Sequence, residues 1–158
     1  MTRRIQLTVL ESGISAVAEL YDEDAPQTSA AMWQMLVSPY EARTLHAIFE
    51  GRKLTLEPPI DNRTFIPEGI PAENTTAYPV AGDLLWKFFP PRAVRGMPNG
   101  LWDVMLVYGP EVILKNPLGI YACNLWAHIV ENVDALIAEC ADVRIHGAKT
   151  IRLSRLEG

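Results

Sequence analysis

Two runs of alternating hydrophobic and polar residues open the chain, Ile5-Gln-Leu-Thr-Val-Leu and Ile14-Ser-Ala-Val-Ala-Glu-Leu-Tyr. A period of two sends successive side chains to opposite faces, so each run reads as a half-buried β-strand. Ser12-Gly13 between them predicts a hairpin. The period then lengthens. Pro26 fits a first helical turn, where no backbone N–H is needed, and Asp24 is placed to cap it. Met32, Leu36 and either Trp33 or Met35 form an apolar stripe that stops at Pro39, which predicts a helix over residues 26–36.

A second strand pair is expected at Arg43–Phe49 and Lys53–Leu56, with Glu50-Gly51-Arg52 as its turn. From Pro58 to Pro98 the chain holds eight of its twelve prolines, so this middle must be loop broken by short strands, placed at Asn74–Tyr78 and Asp83–Phe89. A linker between domains is the rival reading, but Trp86, Phe88 and Phe89 need a core close by. Strands at Leu101–Tyr108 and Ile120–Ile129 follow. A helix over residues 133–145 carries Val133, Leu136, Ile137 and Cys140 at helical spacing and stops at Gly147. Ala148-Lys-Thr-Ile-Arg-Leu-Ser-Arg-Leu closes the chain as an alternating strand. The expected fold is mainly β: a closed antiparallel barrel with two helices capping it, residues 1–158 forming a single domain. Closure removes the exposed edges that so much aliphatic strand would otherwise present.

Composition narrows the function classes. At 158 residues, 49% hydrophobic and 21% charged, the chain has an ordinary globular balance. Its formal charge of −5 argues against nucleic acid, which demands clustered Lys and Arg. Cys123 and Cys140 lie in apolar surroundings without Cys-x-x-Cys spacing and read as buried free thiols. The start, Met1-Thr-Arg-Arg-Ile-Gln-Leu, has no secretory pattern and no stretch approaches membrane-spanning length, so a cytoplasmic location is expected. Three histidines without His-x-His or His-x-x-x-His spacing predict no metal site, and neither a Gly-rich phosphate loop nor a Gly-x-Ser-x-Gly elbow suggests a cofactor or a serine nucleophile.

The order of elements resembles that of the cyclophilins. The likeness is carried by Ala16-Val-Ala-Glu-Leu-Tyr-Asp-Glu-Asp-Ala-Pro-Gln-Thr-Ser-Ala-Ala-Met, by Leu45-His46 in place of a Phe-His pair, and by Asn132-Val-Asp-Ala-Leu-Ile with Gly147-Ala-Lys-Thr-Ile. These segments cover about a third of the chain. Where cyclophilins follow the pair with a catalytic arginine, this chain has Ala47, and Phe49-Glu50-Gly51-Arg52-Lys53 replaces their Phe-x-x-Gln-Gly-Gly. The resemblance therefore implies the fold without prolyl isomerisation. Glu73-Asn74-Thr-Thr-Ala-Tyr78-Pro79-Val-Ala-Gly82-Asp83-Leu-Leu and Gly119-Ile-Tyr-Ala-Cys-Asn124-Leu-Trp-Ala127-His-Ile129 are similar to a bacterial family of uncharacterised, compact cyclophilin-like proteins. Other cyclophilin-like domains are subunits of enzymes that open lactams or cleave ureido compounds, so the resemblance points towards metabolite chemistry.

Alternation sorts the polar residues into candidate sites. On one strand Thr44, His46, Ile48 and Glu50 share a face, with Leu45, Ala47 and Phe49 on the expected interior; on another Asn124, Trp126 and His128 oppose Cys123, Leu125, Ala127 and Ile129. His46, Glu50 and His128 are the acid–base candidates. Glu73, Asn74, Asn124, Trp126 and Arg92, the last on a proline-stiffened loop, are the ligand-binding candidates, and Arg92 could hold a carboxylate. His46, His128 and Asn124 are expected to meet across one polar cleft. The leading expectation is a protein that binds or processes a small carboxylate- or amide-bearing metabolite; as an enzyme it would be a hydrolase or isomerase acting on an amide or lactam. A non-catalytic peptide-binding or subunit-interaction module is the alternative. The expected partner is a small molecule rather than nucleic acid or a membrane, and self-association is left open.

Overall fold

A computed structural model describes residues 1–157. The opening hairpin pairs β1 (Arg4–Val9) with β2 (Ser15–Leu20), and helix α1 (Pro26–Met35) follows. Next come β3 (Tyr40–Arg43), β4 (Leu45–His46) and β5 (Lys53–Thr55). The proline-rich middle contains two 3-10 turns, β6 (Thr75–Thr76) and β7 (Asp83–Phe89). Strand β8 (Leu101–Val107), the small ribbon of β9 (Lys115–Asn116) and β10 (Gly119–Ile120), β11 (Cys123–Glu131), helix α2 (Val133–His146) and β12 (Thr150–Leu156) complete the order. The main sheet is antiparallel and runs β3-β12-β1-β2-β11-β7-β8-β5-β4. Its first and last members are consecutive in the chain. Residues 40–46 pair with β12, cross at Thr44, and then pair with β5, bringing the barrel nearly to closure.

The main core fills the barrel. Ile5, Leu7 and Val9 of β1, Ala16, Ala18 and Leu20 of β2, and Ile151 and Leu153 of β12 point inward, as their alternation requires. Met32, Met35 and Leu36 at the end of α1 and Leu136, Cys140 and Val143 of α2 join the same cluster. Strands β7 and β8 are different, being buried on both faces. Leu84, Trp86, Val104 and Leu106 enter the barrel core, while Leu85, Phe89, Met105 and Val107 form a second cluster outside it with Val94, Val112, Leu114 and Cys123. Double burial accounts for the near-continuous apolar run Asp83-Leu-Leu-Trp-Lys-Phe-Phe89.

Several sequence expectations change here. Arg43–Phe49 is not one strand. After His46 the chain leaves the sheet, so Leu45 and Phe49 are exposed while Thr44 and Glu50 are buried, the reverse of the expected faces. Ile120–Ile129 divides into β10 and β11, and the register of β11 against β7 shifts between Leu125 and Ala127. That bulge turns Trp126 into the barrel, where it is fully buried. Asp24 does not cap α1. Glu73, reaching from the middle loop, accepts from the Thr28 N–H and hydroxyl instead. Both cysteines are buried and free. Burial pushes the Cys140 thiol up to about 12 and raises that of Cys123 as well. Among the described residues, no helix is long and apolar enough to cross a membrane.

Candidate functional site

The register places Lys53 and Thr55 of β5 opposite Val107 and Met105 of β8, so they share a face with Asp103, two residues further along. This is the outer face of the barrel wall, the one covered by the second hydrophobic cluster. Lys53 Nζ lies 3.0 Å from Glu50 Oε1 and 3.5 Å from Asp103 Oδ2. The Thr55 hydroxyl donates to Asp103 Oδ1 at 2.8 Å, and the Tyr121 phenol donates to Glu50 Oε2 at 2.6 Å. All three charged residues are buried, with Lys53 and Asp103 each 2% exposed.

These groups form the polar floor of a cavity of about 470 Å³. Phe89, Val94, Met97 and Leu101 supply apolar walls, Ile48 and Phe49 an exposed apolar rim, and Arg95 and Lys115 two cations in the lining. The Pro90–Gly100 loop roofs one side and the segment from Lys115 to Tyr121 the other. Pockets that hold small molecules usually measure about 300–1,000 Å³ and combine apolar walls with a few fixed polar groups.

Burial alone would lower the Lys53 pKa, but Asp103 and then Glu50 outweigh it and hold the ammonium above the ordinary lysine range. Lys53 is thus a fixed cation rather than a free amine nucleophile. Burial raises the Asp103 carboxyl, opposed in part by Lys53 and Thr55. Burial and then the bond to Glu50 raise the Tyr121 phenol, which remains a neutral donor. Taking a charge out of water costs several kcal/mol even after relaxation. Fully burying a Leu or Met in its place would contribute about 1.5–3 kcal/mol. Stability therefore gives no reason for the cluster.

Of the sequence candidates, Glu50 belongs to this floor, and His46 lines the cavity. Both ring nitrogens of His46 are occupied: Nδ1 faces the Ala47 carbonyl at 2.8 Å and Nε2 the Tyr108 hydroxyl at 2.5 Å. The first contact requires the proton on Nδ1, so Nε2 accepts from Tyr108 and the neutral ring is satisfied. His128 is elsewhere. Its strand β11 is separated from β4 by β7, β8 and β5, and it lines an acidic bowl of about 610 Å³ with Glu19, Asp22, Glu23 and Asp24. There its Nδ1 meets Asp83 Oδ1 at 2.8 Å, while Asp83 Oδ2 accepts the Val80 N–H. Asn124 borders a third depression, and its amide donates to Thr28 and the Pro71 carbonyl. The two histidines and Asn124 thus line three separate depressions, not one cleft.

The remaining candidates have structural duties. Glu73 caps α1. Asn74, at φ 45°, accepts the Leu125 N–H on its carbonyl and donates its amide to the Leu125 carbonyl, bracing the β11 bulge. Trp126 is core. Arg92 is exposed outside the cavity lining, which takes Arg95 from the same loop instead. Lys53, Asp103 and Tyr121 stand outside the sequence candidates, whereas Arg95 is the second guanidinium of the proline-stiffened loop that the sequence offers for a carboxylate. One signal was available: Asp103 is a lone carboxylate within the apolar strand Leu101-Trp-Asp-Val-Met-Leu-Val, and such a residue is almost never fully buried unless paired.

The overall fold is similar to two solved structures. A structure of McbB in complex with tryptophan aligns with 98% of this chain at a TM-score of 0.69 and 18% identity. This chain spans only 45% of that protein's chain. The crystal structure of the Mimivirus cyclophilin aligns with 98% of this chain and 87% of its own at a TM-score of 0.54 and 12% identity. At these identities the likeness establishes a cyclophilin-like fold. No curated protein matches the chain. Residues 7–155 match a whole-family description, and the chain belongs to that family: "Protein of unknown function (DUF3830)".

Proposed function

We propose that residues 1–158 work as one cyclophilin-like domain that binds, and where it is catalytic processes, a small molecule bearing a carboxylate or amide on an apolar body. The observation that carries this reading is the buried Glu50–Lys53–Asp103 cluster at the floor of an apolar cavity of about 470 Å³. The walls suit an apolar body, Arg95 and Lys115 in the lining suit a carboxylate, and the floor offers fixed donors and acceptors to an amide. The tryptophan bound by McbB is a molecule of this size and kind. Glu50 and Asp103 are the acid–base candidates, since His46 is already committed on both nitrogens.

Prolyl isomerisation is not part of this reading. The uncatalysed barrier is about 18–20 kcal/mol, and lowering it calls for a cation free to hydrogen-bond the prolyl nitrogen. Ala47 has no donor and Lys53 is held by two carboxylates, which leaves Arg95 and Lys115, assigned in this reading to the ligand carboxylate. The test is a thermal-shift screen of aromatic amino acids, cyclic amides, ureides and short carboxylic acids, with hits mapped by NMR. Binders should raise the melting temperature and perturb Phe89, Met97 and Tyr121. Hits that perturb only the His128 bowl would sink the proposal. A peptide isomerisation rate approaching that of true cyclophilins would overturn the exclusion.

A further inference from the structure

The formal charges on the cavity floor do not balance. Glu50 and Asp103 bring two carboxyl groups against the single ammonium of Lys53, so with both ionised the floor is net negative, and without a further cation burial favours the protonated Asp103. Lys87 lies opposite Asp103 in the β7–β8 register but forms no ion pair with it, and lines the neighbouring depression beside Trp86 and Phe88. Arg95 and Lys115 line the same cavity but make no ion pair with either carboxylate. Nor are the two carboxylates equally satisfied. Glu50 has Lys53 on one oxygen at 3.0 Å and Tyr121 on the other at 2.6 Å. Asp103 has Thr55 on Oδ1 at 2.8 Å, but on Oδ2 only Lys53, at 3.5 Å. That last distance is at the far edge of a hydrogen bond. Asp103 Oδ2 is the floor oxygen with the weakest hydrogen bond, in surroundings of low dielectric where a charged donor counts most.

Building on the reading of this cavity as a small-molecule site, we propose that its ligand carries a primary amine besides its carboxylate or amide and binds ammonium-first, with the charged nitrogen donating to Asp103 Oδ2. A carboxylate entering first would meet a Lys53 that already faces two carboxylates, and a net negative floor. The same carboxylate placed towards Arg95 and Lys115 meets two cations. The apolar body then lies along Phe89, Val94, Met97 and Leu101. Amines and amino acids with an aromatic or branched aliphatic side chain have this order of groups. Neutral amides and simple carboxylic acids lack the inner charge.

Four probes that share a phenyl ring separate the possibilities: phenethylamine, phenylalanine, hydrocinnamate and hydrocinnamamide. Each is titrated into the isotope-labelled protein near neutral pH, and dissociation constants are read from resonances of the cavity residues. Phenethylamine should bind about tenfold tighter than hydrocinnamamide, as one charge-assisted hydrogen bond in a buried site allows, and phenylalanine tighter than hydrocinnamate. Asp103→Asn should abolish the amine's advantage, so that on this variant phenethylamine binds no tighter than hydrocinnamamide. The wild-type ranking stands as a test even if that variant does not fold. If hydrocinnamate or hydrocinnamamide enters the cavity as tightly as the amine, the orientation is wrong and the small-molecule reading survives. If all four leave Thr55, Phe89, Met97 and Tyr121 unperturbed, both fall.

Discussion

Tyr121 donates its phenolic hydrogen bond to Glu50 at 2.6 Å although the two residues stand 71 positions apart. The bond ties the loop after β4 to the segment that leads into β11, and these are two walls of the cavity. Tyr121→Phe keeps the ring that packs edge-on against Phe89 but leaves a buried carboxylate oxygen without its donor. A loss of about 1–3 kcal/mol is expected, measured by urea denaturation. An unchanged midpoint would show that water already serves Glu50 there.

Lys53 is the single cation between two buried carboxylates, so Lys53→Met should be the most costly of the floor substitutions. Removing one partner of a buried charge cluster costs about 3–5 kcal/mol, because the orphaned charges stay out of water. The deficit should shrink as the pH is lowered and the carboxylates take up protons. Combining Lys53→Met with Glu50→Gln and Asp103→Asn should restore part of the loss, since it removes the orphaned charges while leaving two buried amides to be satisfied. Unfolding curves at neutral and acidic pH decide it. A Lys53→Met protein as stable as the parent would mean that the cluster is solvated in solution.

Asp103 should leave a signature in the pH dependence of stability. Its carboxyl titrates above the ordinary value of 3.8 in the folded protein, chiefly through burial, while Lys53, Glu50, Thr55 and the more distant Lys87 are the polar and charged groups around it. Above 3.8 the folded state then binds more protons than the unfolded chain, so this residue's contribution falls as the pH rises through the folded value. Asp103→Asn removes the titrating group. The stability of the parent minus that of the variant should decline with rising pH across this window, and a difference independent of pH would refute the assignment.

Periodicity made much of the fold legible. The hairpin Ile5-Gln-Leu and Ser15-Ala-Val, the helix from Pro26, the strand Asp83–Phe89 and the helix from Val133 all follow from spacing that one buried face imposes. The candidate site was less legible, because it depends on where alternation fails. Strand-like spacing points to Glu50, yet Glu50 sits in a loop beyond β4, where alternation does not set its face. Trp126 was assigned to a polar face because the bulge that rotates it inward has no local signature; it is braced by Asn74, some fifty residues earlier in the chain. Lys53 and Asp103 meet only through the pairing of β5 with β8, a contact across fifty positions that no short motif encodes.

The loop that roofs the cavity offers a paired test of how it is held. Gly96 and Gly100 both adopt positive φ, at 84° and 70°. A side chain at either costs about 1–2 kcal/mol of backbone strain. Their surroundings differ. A Cβ on Gly96 meets nothing within 4 Å, whereas one on Gly100 falls 2.5 Å from the Phe89 carbonyl oxygen and 2.8 Å from the Pro91 nitrogen. Those neighbours are backbone at the end of β7, where Phe89 pairs with Leu101, and they cannot move without displacing two residues that line the cavity. Gly96→Ala should therefore show the strain alone and keep ligand binding close to that of the parent. Gly100→Ala should lose more stability and also weaken binding, with NMR shifts at Phe89 and Leu101. Equal melting temperatures and equal affinities for the two variants would mean that the loop carries its own conformation and that Gly100 does not anchor the cavity wall.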